Sequence, residues 1–431
     1  MMGKVWVSLA ATLLAGTASA AAAQAAPAAS ERIAVLAGSV ITSADAAPAG
    51  TSVIVVEDGR IASITPGRDA PAGARVIDLG TRTVLPGLID LHTHLTGDPG
   101  GEFWREAVEP DEWGVVVGAK NARLTARAGF TTVREAGSAQ HTAFVLRRGT
   151  AEGILAGPRI VAAGPALAIV GGHGDVSGFR PAINEILSSG YTCTGAVECA
   201  ERVRRASQNG ADVIKITATG GVLSQQGRGL EAHFSNEEMR AIADTAHSLG
   251  LKVMAHAHGA RGVEAAARAG IDTIEHGTFL DDQALAVMRE RGTVLVPTLM
   301  AFRGISERLG RGVYTPTVET KVRAVAETAR TFMGRARRAG VRIAFGTDAG
   351  VFEHGRNGQE FGLMMEQGMT SREALASATT VAAEVLGMGS EIGRLAPGFS
   401  ADIIAVEGNP LENARVLERV EWTMVRGRVI D

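Results

Sequence analysis

From residue 83 to about 389 the chain alternates short apolar runs with amphipathic stretches, and the alternation repeats eight times. The apolar runs fall at 84–94, 130–137, 159–164, 212–220, 251–259, 271–278, 293–299 and 341–350. Rich in Val, Ile, Leu and Ala at successive positions, they read as parallel strands covered on both faces. Between them the apolar positions return at helical spacing. Ser235-Asn236-Glu237-Glu238 has the form of a capping box, and Gly129, Gly210, Gly250, Gly270 and Gly340 stand where helices end directly ahead of the next run. Eight strand–helix units predict an α/β chain folded as a (β/α)8 TIM barrel. An open doubly wound sheet would need a G-x-G-x-x-G loop after its first strand, and none follows residue 94.

The barrel region, 83–389, is flanked by two β-patterned pieces, 26–82 and 390–431, each short to stand alone. Together they predict one small β-sandwich built from N- and C-terminal segments. Residues 1–25 differ from the rest. Lys4 is followed by an apolar stretch from Val5 to Gly16 and by small residues such as Ala18-Ser19-Ala20, which is the pattern of a secretory signal peptide. The alanine-rich second half is too weakly apolar for a span of ~20 residues, so the expectation is an exported, periplasmic or extracellular protein with no stable membrane anchor.

Composition narrows the function. A formal net charge of −3 leaves no basic footprint for nucleic acid, which is excluded as a partner. Fifty-four glycines exceed the usual share and fit a chain with many tight connections. Cys193 and Cys199 are the only cysteines; an oxidising compartment would let them bridge, but spacing alone does not bring two Cα atoms within ~7 Å. The pair is read as two unlinked thiols, with a disulfide as the alternative.

Side chains at the C-terminal ends of barrel strands face the mouth where such folds do chemistry. Polar residues gather at those ends: His92 and His94 on the first run, Lys215 on the fourth, His256 and His258 on the fifth, His276 on the sixth, Asp348 on the eighth. Period-two alternation puts His92 and His94 on one side, a spacing suited to two imidazoles on one metal ion. Lys215 sits in "ADVIKITATGG", where a bare ammonium is costly. Either it snorkels to the mouth or pairs with a carboxylate, or it has become a CO2-derived carbamate, an anionic ligand able to bridge two cations.

"LPGLIDLHTH", "VIKITATGG", "VMAHAHG", "TIEHG", "GTDAG" and "GRLAPGFSADIIAVEGNP" resemble the metal-dependent amidohydrolase superfamily, in its imidazolonepropionase/prolidase-like (Xaa-Pro dipeptidase-like) branch. The resemblance implies two divalent metal ions, Zn2+ first among the candidates: one held by His92, His94 and Asp348, the second by His256 and His276, with a carbamate on Lys215 bridging them. It implies hydrolysis of a peptide-like C–N bond, Asp348 taking and returning the proton and His258 touching the substrate or polarising its carbonyl. His173, in "GGHGDVSG", would grip the substrate, with its free carboxylate as the contact. Val222, Leu223 and Arg228 after the fourth strand, Met300, Phe302 and Arg303 after the seventh and Arg356 after the eighth mix apolar and cationic groups, which suits a small-molecule substrate: an N-acyl amino acid or dipeptide with a hydrophobic carboxyl-terminal residue. Exported bacterial members that split ochratoxin A are especially similar.

Two other readings stand beside this one. A deaminase or cyclic-amide hydrolase of the same superfamily is the first; deaminase sites carry a Glu shortly after the fifth-strand histidine, whereas here Ala257, His258 and Gly259 follow His256. A non-catalytic metal- or ligand-binding barrel is the second, and Asp348 argues against it. Arg134 and Glu135 are expected to form or join a structural ion pair; relatives carry Asp in place of Glu135. His141, His233, His247 and His354 are read as structural or exposed, and the branch implies a homo-oligomer, an octamer being the expected size.

Overall fold

The computed structural model describes residues 32–100, 103–225, 227 and 229–431. The predicted signal segment 1–25 and Arg228 lie outside the described residues. Seven of the eight apolar runs become strands, built on successive β-branched and aliphatic side chains. The strands are β1 (Ile33–Ala37), β2 (Ser39–Val40), β3 (Ser52–Glu57), β4 (Arg60–Pro66), β5 (Arg75–Asp78), β6 (Thr83–Pro86), β7 (Leu88–Thr93) and β8 (Phe130–Glu135). They continue with β9 (Arg159–Ala162), β10 (Val213–Thr217), β11 (Lys252–Gly259), β12 (Thr273–Phe279), β13 (Val294–Val296), β14 (Ile403–Val406), β15 (Trp422–Val425) and β16 (Arg428–Val429).

Two parallel sheets, β7-β8-β9 and β10-β11-β12-β13, carry the site. β7, β8 and β10 are buried at every position, as strands sandwiched between a filled interior and a helical layer must be. Helices separate these strands, among them Asn236–Ser248, which starts with the capping box read from Ser235 and Glu238. The sheet edges are tied to one another. Leu167, beyond β9, donates to the Lys215 carbonyl and accepts from Thr217 on β10. On the other side Leu295 of β13 bridges Ile343, and Thr93 of β7 bridges Ala349.

Two differences from the expected strands have clear physical causes. The run 84–94 is split at Gly87: a Cβ there would meet the Thr131 side chain at 2.1 Å, so the chain passes close to β8 and changes sheet, leaving β6 paired with β14. The eighth run, 341–350, makes only isolated bridges, because Asp348 (φ 64°) and Gly350 (φ 113°) leave the extended region and Asp90 takes the Thr347 amide. The chain ends form a second unit. Sheets β4-β3-β1-β5 and β16-β15-β14-β6-β2 share an apolar core of Val35, Ile54, Val84, Ile403 and Met424, with residues from both termini.

Cys193 and Cys199 are bonded, with Cα atoms 5.0 Å apart, which corrects the unlinked reading. Gly195, at φ 81°, turns the chain into the helix Ala196–Gln208 and folds Cys193 back over its first turn. Among the described residues no helix is long and apolar enough to cross a membrane.

Candidate metal centre

Strand ends bring the predicted residues together. His92 and His94 leave β7 on one side, with ring centroids 5.4 Å apart. His92 Nε2 and His94 Nε2 lie 3.4 and 3.3 Å from the same atom, Asp348 Oδ1. Lys215 Nζ lies 3.5 Å from His92 Nε2. Across the mouth the His256 and His276 rings are 4.5 Å apart, and the His276 ring is 5.2 Å from that of His92. His258 stacks on His276 at 5.0 Å, and His173 tilts against His256 at 4.3 Å. Three non-glycine residues here, His276, Thr298 and Asp348, have positive φ (73°, 50° and 64°), and such backbone strain persists only where the surroundings enforce it.

Four of the six rings are held by a partner through Nδ1. His92 Nδ1 lies 2.8 Å from Glu275 Oε2, His94 Nδ1 2.9 Å from the Gly137 carbonyl, His258 Nδ1 2.8 Å from Thr278 Oγ1 and His276 Nδ1 2.7 Å from Thr298 Oγ1. Donation from Nδ1 to Glu275 or Gly137 leaves Nε2 of His92 and His94 with a lone pair aimed at a carboxylate oxygen. Converging lone pairs repel unless a cation lies between them, so the donor set fits a metal ion. Among the described residues, His92, His94 and Asp348 form a group whose ligand atoms all lie within 4.8 Å of one another.

Electrostatics agree at every one of these groups but His94, where burial works downward and the neighbouring Asp348 carboxylate outweighs it, holding the imidazole above its ordinary value. Burial, followed by the charge of Lys215, pushes His92 well below its ordinary value; burial and neighbouring cationic groups do the same to His256, His276 and His173. Burial would raise the Asp348 carboxyl, but His92, His94 and Lys215 outweigh it and hold Asp348 low. Lys215 is lowered to about 8, by burial first, although Glu275 and Asp348 pull the other way.

The amidohydrolase family pattern matches residues 83–430. The chain belongs to the amidohydrolase family. This amidohydrolase is 30% identical to the ochratoxinase of Aspergillus niger over 413 residues, 90% of this chain and 84% of that protein. It is 29% identical to the imidazolonepropionase of Paracoccus denitrificans, over 81% of this chain and 86% of that protein. A crystal structure of a Xaa-Pro dipeptidase with methionine bound in its active site superposes with a TM-score of 0.84, at 36% identity, covering 93% of this chain and 99% of that one. The protein is therefore a hydrolase acting on amide carbon–nitrogen bonds, in a family that is generally metal-dependent and whose fold is a TIM barrel. Membership sets aside the non-catalytic reading.

Several expected substrate contacts are engaged by the protein's own groups in this amidohydrolase. Met300 is fully buried in the helix Leu299–Glu307, packed with Ala349 and Phe352, because Glu360 accepts from the Leu299 and Met300 amides and draws that turn inward. Arg303 pairs with Glu307, and Arg356 with Glu307 and Glu353. Val222 is buried and Leu223 partly so on the loop after β10, beside His173. A 410 Å³ cleft lined by Leu230, Glu231, Gly259, Arg261 and Phe279 opens one residue beyond His258. A second cleft, of 310 Å³, lies at the opposite strand ends, around Lys252 and Asp272, away from the histidines.

The sequence also hid partners. Arg134 joins an ion pair, but with Glu275 (2.9 Å) and not with Glu135. Glu135 instead accepts from the Leu95 amide at 2.7 Å and the Thr93 hydroxyl, its Oε1 has no partner among the described residues, and burial lifts it to about 7. Asp90 accepts from the amides of His92 and Thr347 and from Asn357, binding the first and eighth runs together. His354 is buried and contacts the His94 carbonyl at 3.2 Å, while His247 pairs with Asp272. A Glu directly before His276 in "TIEHG" was the one available signal; strict alternation would have sent it away from the site.

Proposed function

We propose that this amidohydrolase uses a binuclear centre to hydrolyse the amide bond to a hydrophobic or aromatic carboxyl-terminal amino acid in N-acyl amino acids or dipeptides, including ochratoxin A, from which it would release phenylalanine. The observation that carries the reading is the convergence of His92, His94 and Asp348 beside Lys215, with His256 and His276 facing them. His92, His94 and Asp348 would hold one ion, His256 and His276 the other, and Lys215 would link them. The depressed amine favours that link: neutral Nζ forms an N–C bond to CO2 and loses one proton, leaving an anionic carbamate. Zinc suits the nitrogen-rich donor set. When bound, the ions would polarise the scissile carbonyl and bring a water toward ionisation at neutral pH.

The chain's own residues do the rest. Asp348, held ionised, takes the proton of the attacking water and returns it to the departing amine nitrogen as the C–N bond breaks. His258 is lowered to about 3 by burial and so is neutral; with the Thr278 hydroxyl donating to Nδ1, its Nε2–H is left to donate to the substrate carbonyl. His173, Val222 and Leu223 border the substrate, and Arg228 belongs to the same loop. The ochratoxinase likeness and the amino acid held in the Xaa-Pro dipeptidase site support this substrate class.

The successive ties between the parallel sheets support a closed (β/α)8 barrel over 83–389, with 26–82 and 390–431 as one β-sandwich. We further propose export after loss of residues 1–25, no stable membrane anchor, no nucleic-acid partner, and assembly as a homo-oligomer, with eight chains as the expected size. The functional reading is tested by a hydrolysis screen of acyl amino acids and dipeptides differing only in the carboxyl-terminal residue, run beside ochratoxin A. Free amino acid should be released, chelation should abolish the release, and added zinc should restore it; ammonia as the product would instead favour a deaminase.

A further inference from the structure

The loop after β10 lies over the histidine cluster, closed at its base by the Gly220 amide on the Glu231 carbonyl and the His233 amide on the Ala218 carbonyl. Gly220 places its carbonyl 3.3 Å from His256 Nε2. Gly221 presses so closely on His173 that a Cβ would come within 2.4 Å of the imidazole. Carbonyl groups in such a turn need donors when water is excluded. The Gly221 carbonyl accepts from Ser224 Oγ at 2.8 Å within the turn, and further donors come from a distant element. Lys321, on the helix Pro316–Ala326, is only 8% exposed, and its Nζ donates to the Gly221 carbonyl at 2.8 Å, the Ser224 carbonyl at 2.6 Å and Ser224 Oγ at 3.3 Å. A second tie lies at the start of the same helix, where Thr315 Oγ1 donates to Gln225 Oε1 at 2.9 Å. Val318, Val322 and Val325 bury the helix in the main core, so the anchor itself is fixed.

We propose that Lys321 is a positioning residue for substrate binding: it clamps the loop after β10 to the helix Pro316–Ala326 and so fixes where Val222, Leu223 and His173 meet the substrate. The proposal rests on the reading of this site as an acyl amino acid hydrolase, although the clamp itself can be tested without any substrate. A lysine suits the task because one ammonium offers three donors that converge on two carbonyls and a hydroxyl, each a charge-assisted bond. Methionine keeps the length of the side chain and removes all three donors.

The test compares the metal-loaded wild type with Lys321→Met, Lys321→Arg and the milder Thr315→Val. Hydrogen exchange of peptides covering 219–225 should accelerate about tenfold in Lys321→Met and less in Thr315→Val, with β7 and β11 unchanged. For the best acyl amino acid, KM should rise about tenfold in Lys321→Met with kcat within about threefold of wild type, and Lys321→Arg should recover part of the loss. Bound metal should be unaltered. Unchanged loop exchange in Lys321→Met would overturn the clamp, whatever Thr315→Val does. So would a joint fall of kcat and metal content, which would mark Lys321 as a general structural support. A wild-type protein inert towards every acyl amino acid would overturn the functional reading, and the exchange comparison would still decide the clamp.

Discussion

At the scale of single residues, the site is organised by what each titratable group faces. Asp348 is a buried carboxylate kept ionised by two imidazoles and a lysine, so it can accept a proton without first having to lose one. Asp348→Asn keeps the shape and removes the proposed base; kcat should fall by about 10²–10⁴ in steady-state assays while thermal stability changes little. Glu135 is the opposite case. Burial raises it from 4.5 to about 7, so between those values the folded chain binds a proton that the unfolded chain has released, and stability falls as pH rises through that window. Glu135→Gln removes the titration. Its melting temperature relative to wild type should therefore be higher at pH 8 than at pH 5, by about 2 °C or more, in paired calorimetric scans.

At the scale of elements, the site depends on connections between strand ends and the loops beyond them. The disulfide ties the chain after the His173 loop to the helix Ala196–Gln208, closing a short loop between residues six apart. Chain-entropy arguments give such a link about 2 kcal/mol, so a Cys193→Ala, Cys199→Ala double variant should unfold at lower denaturant concentration by about that free energy. Strand ends were legible in the sequence because period two and the glycine-terminated helices place His92, His94, Lys215 and His256 without further information. His276 and its neighbour Glu275 were not so readable together. The positive φ at His276 breaks alternation and lets adjacent residues both face the site, which no period reveals. The surroundings of Met300, Arg303 and Arg356 were not readable for a related reason: residues after a strand point wherever the next helix starts, and here Glu360, Glu307 and Glu353 decide it.

At the scale of the whole molecule, the segment 341–349 connects β13 to β7 and carries Asp348 to the histidines of β7, so the ligand set depends on the ends of the parallel array meeting. Both chain termini build one apolar core beside that array, and Arg159 crosses between the units to Glu391 and Asp402. Lys215 is the pivot of the proposed centre: its burial among His92, Asp348 and Glu275 makes sense if it joins two cations. The most direct measurement is anomalous diffraction at the zinc edge from crystals grown with zinc and bicarbonate. We expect one peak among His92, His94 and Asp348, another beside His256 and His276, and density for a carbamate on Lys215 between them. An unmodified lysine with no second peak would contradict the account.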